Sequence, residues 1–237
     1  MDLSHVISEI SRSGARFAAT LTDTELRSPS MLPGWTRGHV AAHVARSADA
    51  CVWLLAVART GAEPAPRAGT EALARAVEAD AARPAAALVA DVRASLARLV
   101  EDAESMPAEA WDTLVTALAG WRHPAWYTLY RCWRELETHH VDLNAGYSTA
   151  DWPTAYVAWA LDDTLATLSA HNFPIARIEA VDLARSWNPS PTGPTISAHG
   201  HTLLGWLSGR TPNATLTTDG PVPNPPNWPL PPAPGWN

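Results

Sequence analysis

Residues Trp133–Tyr147 read WRELETHHVDLNAGY. Between Glu135 and Asp142 the stretch holds three carboxylates and two imidazoles within about two helical turns. Leu136, Val141 and Leu143 are interleaved with them. Whichever way a helix here is turned, it buries some of these apolar residues beside some of the ionisable ones. A bundle interior lined by Glu and His from facing helices is a recurring way to hold a metal ion. The complement lies upstream in Pro33–Arg46, PGWTRGHVAAHVAR, which adds His39 and His43. Two helices facing each other across one shared metal ion is the arrangement these stretches predict.

Glu135 and His139 are four residues apart and stack one turn apart on one helix face. His39 and His43 repeat that spacing. Two histidines and a glutamate form a common ligand set for a catalytic zinc, which keeps its fourth position open. Spacing leaves two pairs available on the later helix, Glu135 with His139 or Glu137 with His140. Cys132 falls on the same stripe three residues before Glu135. It is either an extra ligand or a small buried apolar residue, the usual fate of a free cysteine. Asp142, one turn past His139, can orient a ligand imidazole from behind. Trp35 precedes the cap position and reads as a hydrophobic staple. Arg37 and Arg46 read as surface charges.

The rest of the chain fits a helical frame around these stretches. Leu3, Val6, Ile7, Ile10, Phe17 and Leu21 make a one-sided helical stripe over 3–21. Ser28-Pro29 and Leu32-Pro33-Gly34 break it. Thr36 is an N-cap residue for a helix from Arg37 to about Thr60. The alanine-rich run 70–105 is periodic throughout, and Arg83-Pro84 divides it into a short and a long helix, with Pro84 tolerated in a first turn. Residues 108–122 form a connector with an irregular strand. A long helix follows from Pro124 to about Gly146, with Gly146 as its stop. Four substantial helices with short connections describe an antiparallel bundle.

After Asp151-Trp152-Pro153 the character changes. A helix is expected over 154–171, a strand over 176–183, further strands at 195–198 and 214–218, and a short helix over 199–208 closed by Gly209. His199 and His201 read as residues of that helix start, not as ligands. From Pro221 the chain is too proline-rich for a helix and is expected to run extended. No internal repeat is present. The expectation is two domains: an all-α domain over 1–150 and a small α+β domain over 151–237.

Composition narrows the function classes. Across 237 residues the formal net charge is -7, which disfavours a nucleic-acid partner. No apolar run reaches the ~18 residues of a membrane span. The opening MDLSHVISEI lacks the basic and apolar regions of a secretory signal. Cys51 and Cys132 do not make a disulfide framework. A reducing, cytoplasmic setting is expected, without membrane or nucleic-acid partners.

Three stretches, LPGWTRGHVAAHVAR at 32–46, WRELETHHVDL at 133–143 and HTLLGWLSGR at 201–210, together resemble the mycothiol-dependent maleylpyruvate isomerase family. The resemblance runs over nearly the whole chain in the same order. It implies a DinB-like four-helix metal-binding domain followed by a sterol-carrier-like α+β domain. It also implies the ligands: the second histidine of the H-x-x-x-H pair, then the Glu and His of R-E-x-x-x-H, here His43, Glu135 and His139. His39, Glu137 and His140 become neighbours, with His39 and Asp142 as candidates for supporting the ligands. Arg210 is the implied clamp for a substrate carboxylate, since its planar fork can bind both oxygens. The implied cofactors are zinc, or another divalent metal that His/Glu sites accept, and mycothiol. The implied reaction is thiolate addition to the cis double bond of maleylpyruvate, rotation about the resulting single bond, and elimination. Transfer of mycothiol to an electrophilic metabolite or xenobiotic is the alternative chemistry. A metal-stabilised binding protein without catalysis is the alternative class. The partners on either enzyme reading are a small-molecule thiol and a small acidic or electrophilic substrate.

Overall fold

A computed structural model describes residues 2–22, 24–232 and 235–236. They divide into two compact units. One runs to Tyr147 and includes Trp236; the other runs from Ser148 to Gly235.

The first unit is built on α1 (Leu3–Thr22), α2 (Arg37–Thr60), α4 (Ala85–Glu104) and α5 (Ala125–Asp142). α1 and α2 each pack against both α4 and α5, so α1 is diagonal to α2. The 24–36 connection is therefore longer than the short links expected of a bundle with sequential neighbours. The core takes the predicted stripe of α1, with Val6, Ile10, Phe17 and Leu21 almost fully buried, and Leu88, Val92, Leu99, Leu129 and Leu136 from its partners. Each such side chain stabilises the fold by about 1.5–3 kcal/mol. Gly14 lets α1 approach α4, since a Cβ there would stand 3.0 Å from Leu96 Cδ1.

α2 starts where Thr36 directs it. The Thr36 side chain accepts from the His39 backbone N–H, while His39 Nδ1 accepts from the Thr36 N–H at 3.1 Å. This is a capping box in which histidine replaces the usual Glu or Gln. By length and composition α2 would reach across a membrane, yet half of its most apolar window is buried within the protein. α3 (Thr70–Ala81) packs on α2, and Pro84 stands as N-cap of α4, one place earlier than expected.

The connector 108–122 holds more order than one irregular strand. β1 (Leu114–Thr116) pairs antiparallel with β2 (Arg122–Pro124), with Thr116 opposite Arg122 and Val115 opposite His123.

α5 ends at Asp142, before the expected stop at Gly146. Asn144 takes the left-handed conformation at φ 52°, which asparagine tolerates better than most residues. The last carbonyls find partners that the sequence does not reveal. Met31 N–H donates to Asp142 O at 2.8 Å. Arg37 donates through Nε to Leu143 O at 2.8 Å and through Nη2 to Asn144 O at 2.5 Å. Arg37 is thus a cap on α5 and not the surface charge expected of it.

In the second unit α6 (Thr154–Ala170) and α7 (Gly200–Leu207) pack on each other. Beside them lies a four-stranded sheet in the order β4-β3-β5-β6. β3 (Arg177–Ala180) and β5 (Thr195–Ala198) run parallel, with Ile178 against Ile196, both fully buried. The strand expected over 176–183 stops at Ala180. Ala184 takes φ 50°, and the chain returns as β4 (Arg185–Trp187), a strand the sequence pattern hides. The expected strand at 214–218 is a short 3-10 turn over Asn213–Thr215 followed by β6 (Thr217–Thr218). His199 is the N-cap of α7, and His201 Nε2 donates to the Trp152 carbonyl at 2.9 Å. From Pro221 no helix or strand is formed among the described residues.

Candidate metal centre

α2 and α5 lie side by side, and their facing stripes bring His43, Glu135 and His139 together. His43 Nε2 is 3.1 Å from Glu135 Oε2, and His139 Nε2 is 3.2 Å from the same oxygen. The two imidazoles meet edge to face with ring centres 4.7 Å apart. Among the described residues this is the one group of three or more metal-type side chains whose donor atoms all lie within 4.8 Å of one another. Two ligands bound at about 2.0–2.1 Å to one tetrahedral zinc stand roughly 3.3 Å apart, so the donor spacing suits such an ion. The donor set suits it as well.

The surroundings orient the donors. His139 Nδ1 faces Asp142 Oδ2 at 2.9 Å. A carboxylate on Nδ1 leaves Nε2 as the ligating nitrogen and fixes the ring plane. Ser47 Oγ lies 3.4 Å from His43 Nε2 and 3.5 Å from Glu135 Oε2. Trp35 packs its indole against His43 at a tilt of 54°, ring centres 5.5 Å apart, and stacks on His39 at 6.1 Å. His39 itself caps α2 and points Nε2 at Glu78 Oε2, 3.1 Å away.

Charge is balanced inside the group. Burial pushes the Glu135 carboxyl up, but hydrogen bonds from His139 and His43 outweigh it and hold the group well below the ordinary carboxylate range. Burial lowers His139, while Asp142 and Glu135 together raise it to about 9. The group carries one firmly ionised carboxylate, Glu135, with the Asp142 side chain behind His139.

The other candidate pair faces away. Residue 137 lies about 200° round the helix from 135, toward α1. Glu137 is almost fully buried and accepts from Ser13 Oγ, Arg16 Nη2 at 3.0 Å, Trp133 Nε1 at 3.3 Å and Tyr147 OH at 2.5 Å. His140 stacks flat on Tyr147 at 3.7 Å and meets Thr20 Oγ1 at 2.7 Å. Burial and the Glu137 charge hold the Tyr147 phenol well above its usual range, so it stays a donor.

Cys132 is buried beside Cys51 rather than among the converging donors. Its hydrogen bond with the Cys51 thiol, and burial, raise its pKa well above the ordinary thiol value. Arg210 belongs to the second unit, three residues past the end of α7, where Nη1 donates to Ser208 O at 2.5 Å. His123, which sequence reasoning passed over, is fully buried in β2. Its only sequence signal was an imidazole inside a strand-like HPAWY run.

Residues 7–144 match the family model of the mycothiol maleylpyruvate isomerase N-terminal domain. None of the curated proteins compared with the chain matches it. Among solved structures, a crystal structure of the mycothiol-dependent maleylpyruvate isomerase is similar with a TM-score of 0.86 at 24% identity, covering 96% of this chain and 98% of that one. A histidine-to-alanine mutant of the isomerase aligns with a TM-score of 0.85 at 23% identity and the same coverage. At these identities the likeness is one of fold.

Proposed function

The chain belongs to the mycothiol maleylpyruvate isomerase N-terminal domain family, and from that premise we propose that it is a zinc- and mycothiol-dependent cis–trans isomerase of the maleylpyruvate type. The observation that carries the reading is the convergence of His43 Nε2, Glu135 Oε2 and His139 Nε2 inside the family's own domain. These three residues would hold the metal, and Asp142 would hold His139 in its ligating orientation.

A metal held there would acidify a bound thiol, and mycothiol would supply that thiol as the nucleophile for the cis–trans change. The chain's own residues have separate tasks. Three protein ligands would leave room on such an ion for an exogenous group. His43, Glu135 and His139 are all partly exposed, so a small molecule can reach them. Cys132 stays a neutral thiol and does not compete as nucleophile. Arg210 serves as a clamp on a substrate carboxylate. Free buried cysteines and a thiol cofactor suit a reducing compartment, and we place the protein in the cytoplasm.

The test combines metal analysis with an assay. His43→Ala, Glu135→Ala and His139→Ala should each lose stoichiometric zinc, and the wild type should convert maleylpyruvate to fumarylpyruvate only when mycothiol is present. Full zinc content in any of the three variants removes that residue from the ligand set. Isomerisation without any thiol defeats the mechanism. Thioether formation from an electrophile panel, with no isomerisation, would make the protein a mycothiol S-transferase.

A further inference from the structure

Arg67 and Arg131 form a second charged feature of the first unit, one the metal ligands do not use. Arg131, Glu135 and His139 follow one another at intervals of four on α5, so they share a stripe. One such interval is a rise of about 6 Å along the axis. Arg67 comes from the loop between α2 and α3. Its Nη1 donates to Thr116 O at 2.7 Å, and its guanidinium lies 4.8 Å from the Trp53 ring centre. Arg131 Nη1 donates to His123 Nε2 at 3.2 Å, and its guanidinium lies 5.8 Å from the Trp121 ring centre. The β1–β2 hairpin gathers both. Thr116 is paired with Arg122, whose chain neighbours Trp121 and His123 are the residues that receive Arg131.

Neither cation has an ion-pair partner among the described residues. Their partners are a carbonyl, an imidazole nitrogen and two indole faces. Among the described residues no Asp or Glu lies within ion-pair distance of Arg67 or Arg131. By contrast Arg46, Arg83 and Arg98 in the same unit all sit on aspartates. His123 cannot serve as a hidden anion, and it is not a competing cation. Its Nδ1 donates to Pro124 O at 3.0 Å, which leaves Nε2 to accept from Arg131, and burial lowers its pKa to about 4. It therefore aims Arg131 while leaving the charge intact. Burial, and then the Arg131 charge, depress Arg67; the exposed Glu63 opposes this only at longer range. Two partly buried like charges held by neutral groups are unfavourable until an anion arrives. A planar guanidinium pre-set by hydrogen bonds and an aromatic face offers the fork that a carboxylate fits.

We propose that Arg67 and Arg131 form a carboxylate-binding site about one helical turn from the His43, Glu135 and His139 group, taking one end of a small dicarboxylic substrate. That the anion is the isomerised oxo acid rests on the isomerase reading; the anion site itself does not.

Maleate, a short cis dicarboxylate that does not react, is the probe. It is titrated calorimetrically at low ionic strength into the wild type, Arg67→Gln, Arg131→Gln, Arg131→Lys and the metal-ligand variant His43→Ala. Both Gln variants should bind about tenfold more weakly or worse, Arg131→Lys should fall between, and His43→Ala should retain binding. Zinc content should stay stoichiometric in the arginine variants, which excludes collapse of the centre. With maleylpyruvate the Gln variants should raise KM about tenfold or more and leave kcat within about threefold. Maleate affinity within twofold of wild type in both Gln variants, or no maleate binding by the wild type, overturns the site. Maleate binding lost in both Gln variants, in a protein that does not isomerise maleylpyruvate, would leave the anion site standing and remove the isomerase reading alone. Normal isomerisation with unchanged KM in both variants would do the reverse.

Discussion

At the scale of single residues, position on the helix decides chemistry. Glu135 and Glu137 are two residues apart in one run of sequence, yet one meets two imidazoles and the other meets a serine, an arginine, an indole and a phenol. The i, i+4 spacing made both pairs visible in the sequence. It could not say which faced α2, because the apolar neighbours Leu136 and Val141 are compatible with either rotation. What settles it is the set of donors on α1 and at Tyr147 that claim Glu137. His123 illustrates the opposite failure, a polar residue invisible to pattern because its partners are a backbone carbonyl and an arginine from another element. Its folded pKa of about 4 lies below the ordinary imidazole value of 6.5. The unfolded chain therefore takes up the proton first. The associated stability is complete above pH 6.5 and is lost as the pH falls toward 4, by about 3 kcal/mol at most. In urea titrations, the advantage of wild type over His123→Gln should shrink by about 2–3 kcal/mol between pH 7 and 4.5. A constant difference across that range would mean that His123 is not held neutral in the fold.

At the scale of elements, the starts of helices were legible and the ends less so. Thr36 announced α2, and Arg83-Pro84 announced the break between α3 and α4, since caps and prolines act within a few residues of themselves. The end of α5 was misplaced because it is set by tertiary partners, chiefly Arg37, over a hundred residues away in sequence. β4 was missed for a related reason: its exposed Arg185 and Ser186 carry no apolar alternation, and the ladder to β3 supplies the order instead. Arg37 is the element-scale device that matters for the centre. Standing at the first position of α2, it donates to the Leu143 and Asn144 carbonyls and to Thr24 Oγ1 at 2.7 Å. It thereby ties the start of the helix bearing His43 to the end of the helix bearing His139. Removing it leaves helix-end carbonyls without their charged donor. Arg37→Met should lower unfolding stability by about 2 kcal/mol. It should also weaken zinc binding in competition with a chromophoric chelator, although Arg37 touches none of the three proposed ligands. Wild-type zinc affinity in a variant of reduced stability would show that Arg37 supports the fold alone.

At the scale of the whole molecule, the two units have separate cores, and all three proposed metal ligands lie in the first. The diagonal order of the helices was not in the pattern, because amphipathic periodicity tells which face of a helix is buried but not against which neighbour. That order places α2 next to α5, and so would make one bound ion a cross-link between elements separated by the whole of α3 and α4. Binding to the folded state alone stabilises it by mass action. Free zinc at a hundred times the dissociation constant contributes about 2.7 kcal/mol. For a unit of this size each kcal/mol moves the midpoint by roughly 2–4 °C. Chelation should therefore lower the thermal midpoint of the first unit by about 5–10 °C. Hydrogen exchange locates the effect: the amides of α2 and α5 should lose protection on chelation, and those of β3 and β5 should not. The His43→Ala variant should show neither change. Equal loss of protection in both units, or a chelator response that survives in His43→Ala, would place the stabilising ion somewhere other than between α2 and α5.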